Sequence, residues 1–80
     1  MSTLIDTLKT ARFEAGHIVV ELHSGAELRF PIRGNARLEG ASVSQLNDIE
    51  VSPLGLHWPQ LDEDLSLKGI MNGDHGQYVA

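Results

Sequence analysis

The residues whose types and spacing could do chemistry lie close together: His57, then Asp62, Glu63 and Asp64 in succession, then Ser66. Carboxylate oxygens suit hard cations and a histidine nitrogen could join them. A histidine backed by a carboxylate is also the arrangement that activates a serine. Two features of the stretch argue against both. Consecutive carboxylates at the start of a helix fan around its axis instead of converging, and Trp58-Pro59 separates them from His57. Ser66 has neither a Gly-x-Ser-x-Gly elbow nor a glycine run for an oxyanion hole. The residues therefore predict no enzyme, no metal and no cofactor. The three carboxylates read as caps, because a helix N-terminus presents free N–H groups and a partial positive charge. A small ligand- or metal-binding domain, or a minor enzyme, centred on His57, Asp62, Glu63 and Asp64 is the alternative.

A second group is basic. Arg29 and Arg33 share one face of a predicted strand and Phe30 lies on the other, so no aromatic platform interleaves with the cations as single-stranded nucleic acid requires. The charge is also unevenly placed. Residues 1–38 carry five basic against four acidic groups, whereas residues 39–80 carry Lys68 alone against seven acids, for a net charge of −5. An acidic surface repels phosphate backbones and orients basic partners. The expected partner is thus a small basic protein, met by Asp62, Glu63 and Asp64 with Arg29 and Arg33, or a second copy through a sheet edge; direct nucleic-acid binding is disfavoured.

These groups must be positioned by a short chain. Eighty residues make a single domain, and one of this size buries only about 60 % of the surface its unfolded chain exposes. The absence of cysteine excludes disulfides and thiolate metal sites and suits a reducing cytoplasm. No apolar run approaches the roughly 20 residues of a membrane span, and the opening Met-Ser-Thr-Leu-Ile-Asp lacks the pattern of a secretory signal. The expectation is a soluble, cytoplasmic protein that makes no membrane contact.

The elements follow from periodicity. Met1 to Thr7 has no clear period and is expected as a loose arm or an added strand. Leu8 to Glu14, His17 to Leu22 and Ala26 to Ile32 alternate apolar and polar residues, and Ala15-Gly16 and His23-Ser24-Gly25 make turns between them. A two-residue first loop pairs Phe13 with Ile18; a three-residue second loop, with Gly25 left-handed, pairs Ile18 with Phe30. Glu21 then faces Glu27 unless Arg29 intervenes, and Pro31 marks an outer edge or a strand end. Arg33 to Gly40 reads as a connection. Ser42 and Gln45 form a capping box for a short helix. Ile49 to Ser52 and Leu56 to Trp58 read as a hairpin about Pro53-Leu54-Gly55. Leu61, Leu65, Leu67, Ile70 and Met71 have helical spacing, which predicts a helix over Asp62 to Met71. Trp58 is the single tryptophan and the expected core anchor, held extended by Pro59. The class is α+β: a three-stranded antiparallel meander plus a short hairpin, packed with one short and one C-terminal helix. The folded core is expected over 8–73, with Asp74 to Ala80 a tail that has little to bury.

The string Gly55-Leu56-His57-Trp58-Pro59-Gln60-Leu61-Asp62-Glu63-Asp64-Leu65-Ser66, following Val20-Glu21-Leu22, Gly25, Pro31, Arg37-Leu38 and Gln45-Leu46, resembles the small bacterial family catalogued as domain of unknown function 2442. The Trp-Pro-x-Leu-Asp-Glu-Asp box is its specific part. The chain departs from the pattern at Arg33-Gly34-Asn35-Ala36, where relatives carry a bulkier aromatic stretch. The resemblance implies an α+β fold and a non-enzymatic interaction module, antitoxin-like or regulatory, that partners another short bacterial protein.

Overall fold

In a computed structural model the described residues form two three-stranded antiparallel sheets and three short helices. The structure describes residues 6–77, so most of the expected N-terminal arm and the last residues of the expected tail lie outside it.

The first sheet is built from β1 (Leu8–Glu14), β2 (His17–Leu22) and β3 (Glu27–Pro31), in that order. Its registers are those the alternation requires: Phe13 opposite Ile18, Ala11 opposite Val20, Ile18 opposite Phe30 and Val20 opposite Leu28. Ala15 and Gly16 both take positive φ, 49° and 82°, as a two-residue hairpin turn matched to strand twist demands. Gly25 is left-handed at φ 95°. Glu21 does face Glu27, and each has its own cation, Lys9 at 3.6 Å and Arg29 at 3.9 Å. On the same face Val19 is fully buried between its strand neighbours Arg12 and Arg29, whose aliphatic stems can cover it while their heads stay in water.

The connection after β3 contains a helix that sequence reading leaves out, α1 (Ala36–Glu39). The capping box is present as expected: Ser42 Oγ accepts from Gln45 N, Gln45 Oε1 accepts from Ser42 N, and α2 (Val43–Asn47) follows.

The second sheet, β4 (Glu50–Ser52), β5 (Gly55–Trp58) and β6 (Glu63–Ser66), corrects one expectation. Asp62 to Met71 is not one helix. Asp62 ends a turn at φ 51°, residues 63–66 pair with β5 so that Leu65 lies opposite Leu56, and only α3 (Leu67–Met71) is helical. The cause is tertiary: β5 has an open side, and pairing there buries Leu65 against Leu56. The helix starts directly from the strand. Leu67 N still donates to Leu54 O at 2.9 Å, and Gly69 N donates to Ser66 Oγ at 2.9 Å, so two of the N–H groups a helix start leaves free are satisfied.

The two sheets share one core. Ile18, Val20, Leu22 and Phe30 come from the first, Leu56, Trp58 and Leu65 from the second, and Leu38, Leu46 and Leu67 from the helices. Trp58 is completely buried, and its indole Nε1 donates to Leu46 O at 3.1 Å, tying β5 to α2. The outer edge of β1 is taken up at both ends, where Leu8 N donates to Pro53 O and Phe13 N donates to Asn47 Oδ1, each at 2.9 Å.

Candidate functional site

The pleat of the second sheet sends the three consecutive carboxylates in three directions. Asp62 is exposed in the turn. Glu63 lies opposite Trp58 on the core-facing side, and Asp64 lies opposite His57 on the outer side. None caps a helix; that role belongs to Ser66, and the physical reason is that residues 63–66 are extended.

On the outer face His57 occupies the central strand between Glu50 on β4 and Asp64 on β6. His57 Nδ1 is 2.7 Å from Asp64 Oδ1, within the range of a charge-assisted bond. The hydrogen bond to Asp64 is the main cause that raises the imidazole above its ordinary pKa. The charges of Asp64 and Glu50 and the backbone of Glu63 add to the rise, and partial desolvation opposes it. Ser66 is two residues beyond Asp64 and pairs with Gly55, not with His57; its hydroxyl is the acceptor at the start of α3.

Glu63 belongs to a different constellation. Its Oε2 accepts from Asn35 Nδ2 at 2.9 Å, and its Oε1 accepts from Asp64 N at 3.1 Å. Asn35 is the buried polar residue at the centre: the same Nδ2 donates to His75 O at 2.8 Å, while Oδ1 accepts from Arg37 N and Leu38 N to cap α1. His75 in turn stacks on Phe30 with ring centroids 5.4 Å apart. Of the expected tail, His75 is half-buried and held by Asn35, while Asp74, Gly76 and Gln77 are exposed. Asn35 carried one legible signal, an N-cap residue type directly before Ala-Arg-Leu-Glu.

The remaining residues singled out from sequence divide cleanly. Trp58 is fully buried, Pro59 opens the turn after β5, and Gly25 occupies its left-handed position. Arg29 lies on the outer face of the first sheet beside Glu27, and Arg33 is exposed in the loop after β3. These arginines stand on or beside the first sheet and the carboxylates on or beside the second.

An open groove of 680 Å³ follows the second sheet, with Leu54, His57, Glu63, Asp64, Ser66 and Asp74 in its walls. No lysine or arginine among the described residues lines it. Among the described residues, no group of three His, Asp or Glu side chains is arranged to hold a metal ion. No helix among them is long and apolar enough to cross a membrane.

The family model described as protein of unknown function (DUF2442) matches residues 8–76. The chain belongs to this family. The DUF2442 match begins with β1 and runs through His75 and Gly76, so it includes the segment that Asn35 holds. A protein of unknown function from Rhodospirillum rubrum is 38 % identical, with a TM-score of 0.81 over 92 % of this chain and 94 % of that one. An uncharacterized protein from Chromobacterium violaceum is 35 % identical, with a TM-score of 0.74 over 92 % of this chain and 70 % of its own. No curated protein matches the sequence.

Proposed function

We propose that this DUF2442 protein is a non-catalytic interaction module that receives a basic segment of a partner protein in the groove beside His57. The observation that carries the reading is the lining: Asp64 and Asp74 contribute exposed carboxylates, no lysine or arginine among the described residues balances them from the walls, and Leu54 adds an exposed apolar contact at the rim. Such a surface favours lysine and arginine side chains, whose long stems can pack on the leucine while their heads meet the carboxylates. A short basic protein under antitoxin-like or regulatory control fits that chemistry, and a cytoplasmic setting suits it. The ligand-site alternative draws on the close His57–Asp64 pair. It loses support because Glu63 is already engaged by Asn35 and Asp62 is not part of the groove wall.

The test is capture from the native cell lysate followed by mapping. A basic protein recovered with the tagged chain is titrated into labelled protein, and the amides of Leu54, His57, Asp64, Ser66 and Asp74 are expected to shift. The Asp64→Asn/Asp74→Asn variant, checked for fold, is expected to lose the partner, and added salt to weaken it. Shifts confined to the first sheet, or capture undiminished in the variant, would remove the groove from consideration.

A further inference from the structure

The free edge of the first sheet carries an ordered pattern. Leu22 N donates to Ala26 O and Ile32 N donates to Gly16 O, which fixes the alternation along the ladder between β2 and β3. Leu28 and Phe30 turn their backbone groups towards β2; Glu27, Arg29 and Pro31 turn theirs outward. The missing N–H of Pro31 is thus on the outside, where it costs the sheet no bond. The N–H groups of Glu27 and Arg29 find no acceptor among the described residues. Elsewhere the edges are partly consumed: Leu8 and Phe13 on β1 have acceptors, and the outward Asp64 N on β6 is taken by Glu63 Oε1.

We propose that β3 pairs with β3 of a second copy, antiparallel about a twofold axis at Leu28, merging two sheets into one. Charge decides the register. Centred on Leu28, Glu27 faces Arg29 of the second copy and Arg29 faces its Glu27, and these are the outward residues that can exchange both backbone bonds. Centred on Arg29, like charges oppose each other and Glu27 meets Pro31, which cannot donate. Centred on Glu27, two carboxylates oppose each other.

The Leu28 register also answers a feature of the single chain. Glu21 and Glu27 face each other, and Arg29 reaches Glu27 only at 3.9 Å; a cation directly across from Glu27 relieves that pair. Half-buried Leu28 meets its own copy at the axis, where a non-hydrogen-bonded pair brings side chains closest. Charged residues and proline on an edge normally discourage pairing. Here the signs are self-complementary and the proline falls outside the bonded window. The interface is isologous and closes at two chains.

The experiment is sedimentation equilibrium over a wide concentration range. The wild type is expected to dimerise, Glu27→Arg and Arg29→Glu each to remain monomeric, and an equimolar mixture of those two variants to recover the dimer, because one then presents cations at both positions and the other carboxylates. Both substituted residues are exposed on the free edge, and circular dichroism checks the fold. An independent reading uses unsubstituted protein: a mixed labelled and unlabelled sample is expected to show an intermolecular contact between Leu28 Hα and Leu28 Hα of the second copy. A wild type that stays monomeric, a mixture that fails to associate, or a dimer without the Leu28 contact overturns the proposal.

Discussion

Asn35 and Glu63, 28 residues apart in sequence, meet at 2.9 Å where the loop after the first sheet touches the second. The contact is one of four made by a side chain that is 1 % exposed. Gly76 passes so close that an added Cβ would lie 2.5 Å from Asn35 Nδ2 and 3.0 Å from Glu63 Oε2. Capping of α1, the position of β6 and the path of residues 74–77 therefore all depend on one amide group.

That dependence can be divided by substitution. Asn35→Ala removes the cap and orphans buried groups, and is expected to cost about 3 kcal/mol in urea unfolding. Asn35→Asp keeps both cap acceptors but sets a carboxylate against Glu63, so it is also expected to destabilise. Adding Glu63→Gln returns a donor to the contact and should recover part of the loss. A double variant no more stable than Asn35→Asp would show that the bridge contributes little.

Trp58 supports the fold through both its volume and its N–H. Trp58→Phe leaves Leu46 O without its donor and opens a gap between β5 and α2, with an expected loss of about 2 kcal/mol. Thermal melting followed by circular dichroism measures it. In the wild type, the single tryptophan should emit at short wavelength and shift red on unfolding, since it is fully buried.

The pH dependence of His57 has a definite sign. Its folded pKa is raised by Asp64 first, then by Glu50 and the Glu63 backbone, so the protonated ring is favoured in the folded state. The corresponding stability is present below the unfolded pKa and is lost as pH rises through the folded one. Ring NMR titration should place His57 above an unperturbed histidine, and Asp64→Asn should bring it down. Unfolding midpoints of the wild type and His57→Gln should differ more at about pH 5.5 than at about pH 8.5.

Ala15 is ill suited to its turn. At φ 49°, followed by Gly16 at 82°, it occupies a position where asparagine is favoured and a Cβ is strained. Ala15→Asn is expected to stabilise by about 1 kcal/mol, visible as a higher urea midpoint with an unchanged slope. A lower midpoint would mean that the hydrogen bond between His17 Nδ1 and Ala15 O depends on the present turn geometry.

The first sheet was legible because its information is local: alternation marks the faces, and two glycine-containing turns fix the register. The hairpin of β4 and β5 was legible for the same reason. β6 was not. Glu63-Asp64-Leu65-Ser66 has little intrinsic preference for a strand, and the spacing of Leu61, Leu65, Leu67 and Ile70 mimics a helical stripe; its extended form depends on the open side of β5, and strand preference is largely such context. The same error misassigned the carboxylates, since a helix would have made them caps whereas a pleat sends Glu63 and Asp64 to opposite faces. Asn35 was invisible as a hub because its partners lie 28 and 40 residues away.

The placement of that hub bears on the order of events in folding. Each meander closes through turns between chain neighbours, with low entropic cost, whereas the Asn35 joint must draw in segments from two distant parts of the chain. The meanders can therefore form early and the joint last. Interactions made after the rate-limiting barrier act on the rate of escape more than on the rate of arrival. Asn35 would then serve as a kinetic clasp, setting how long a folded molecule survives rather than how quickly it forms.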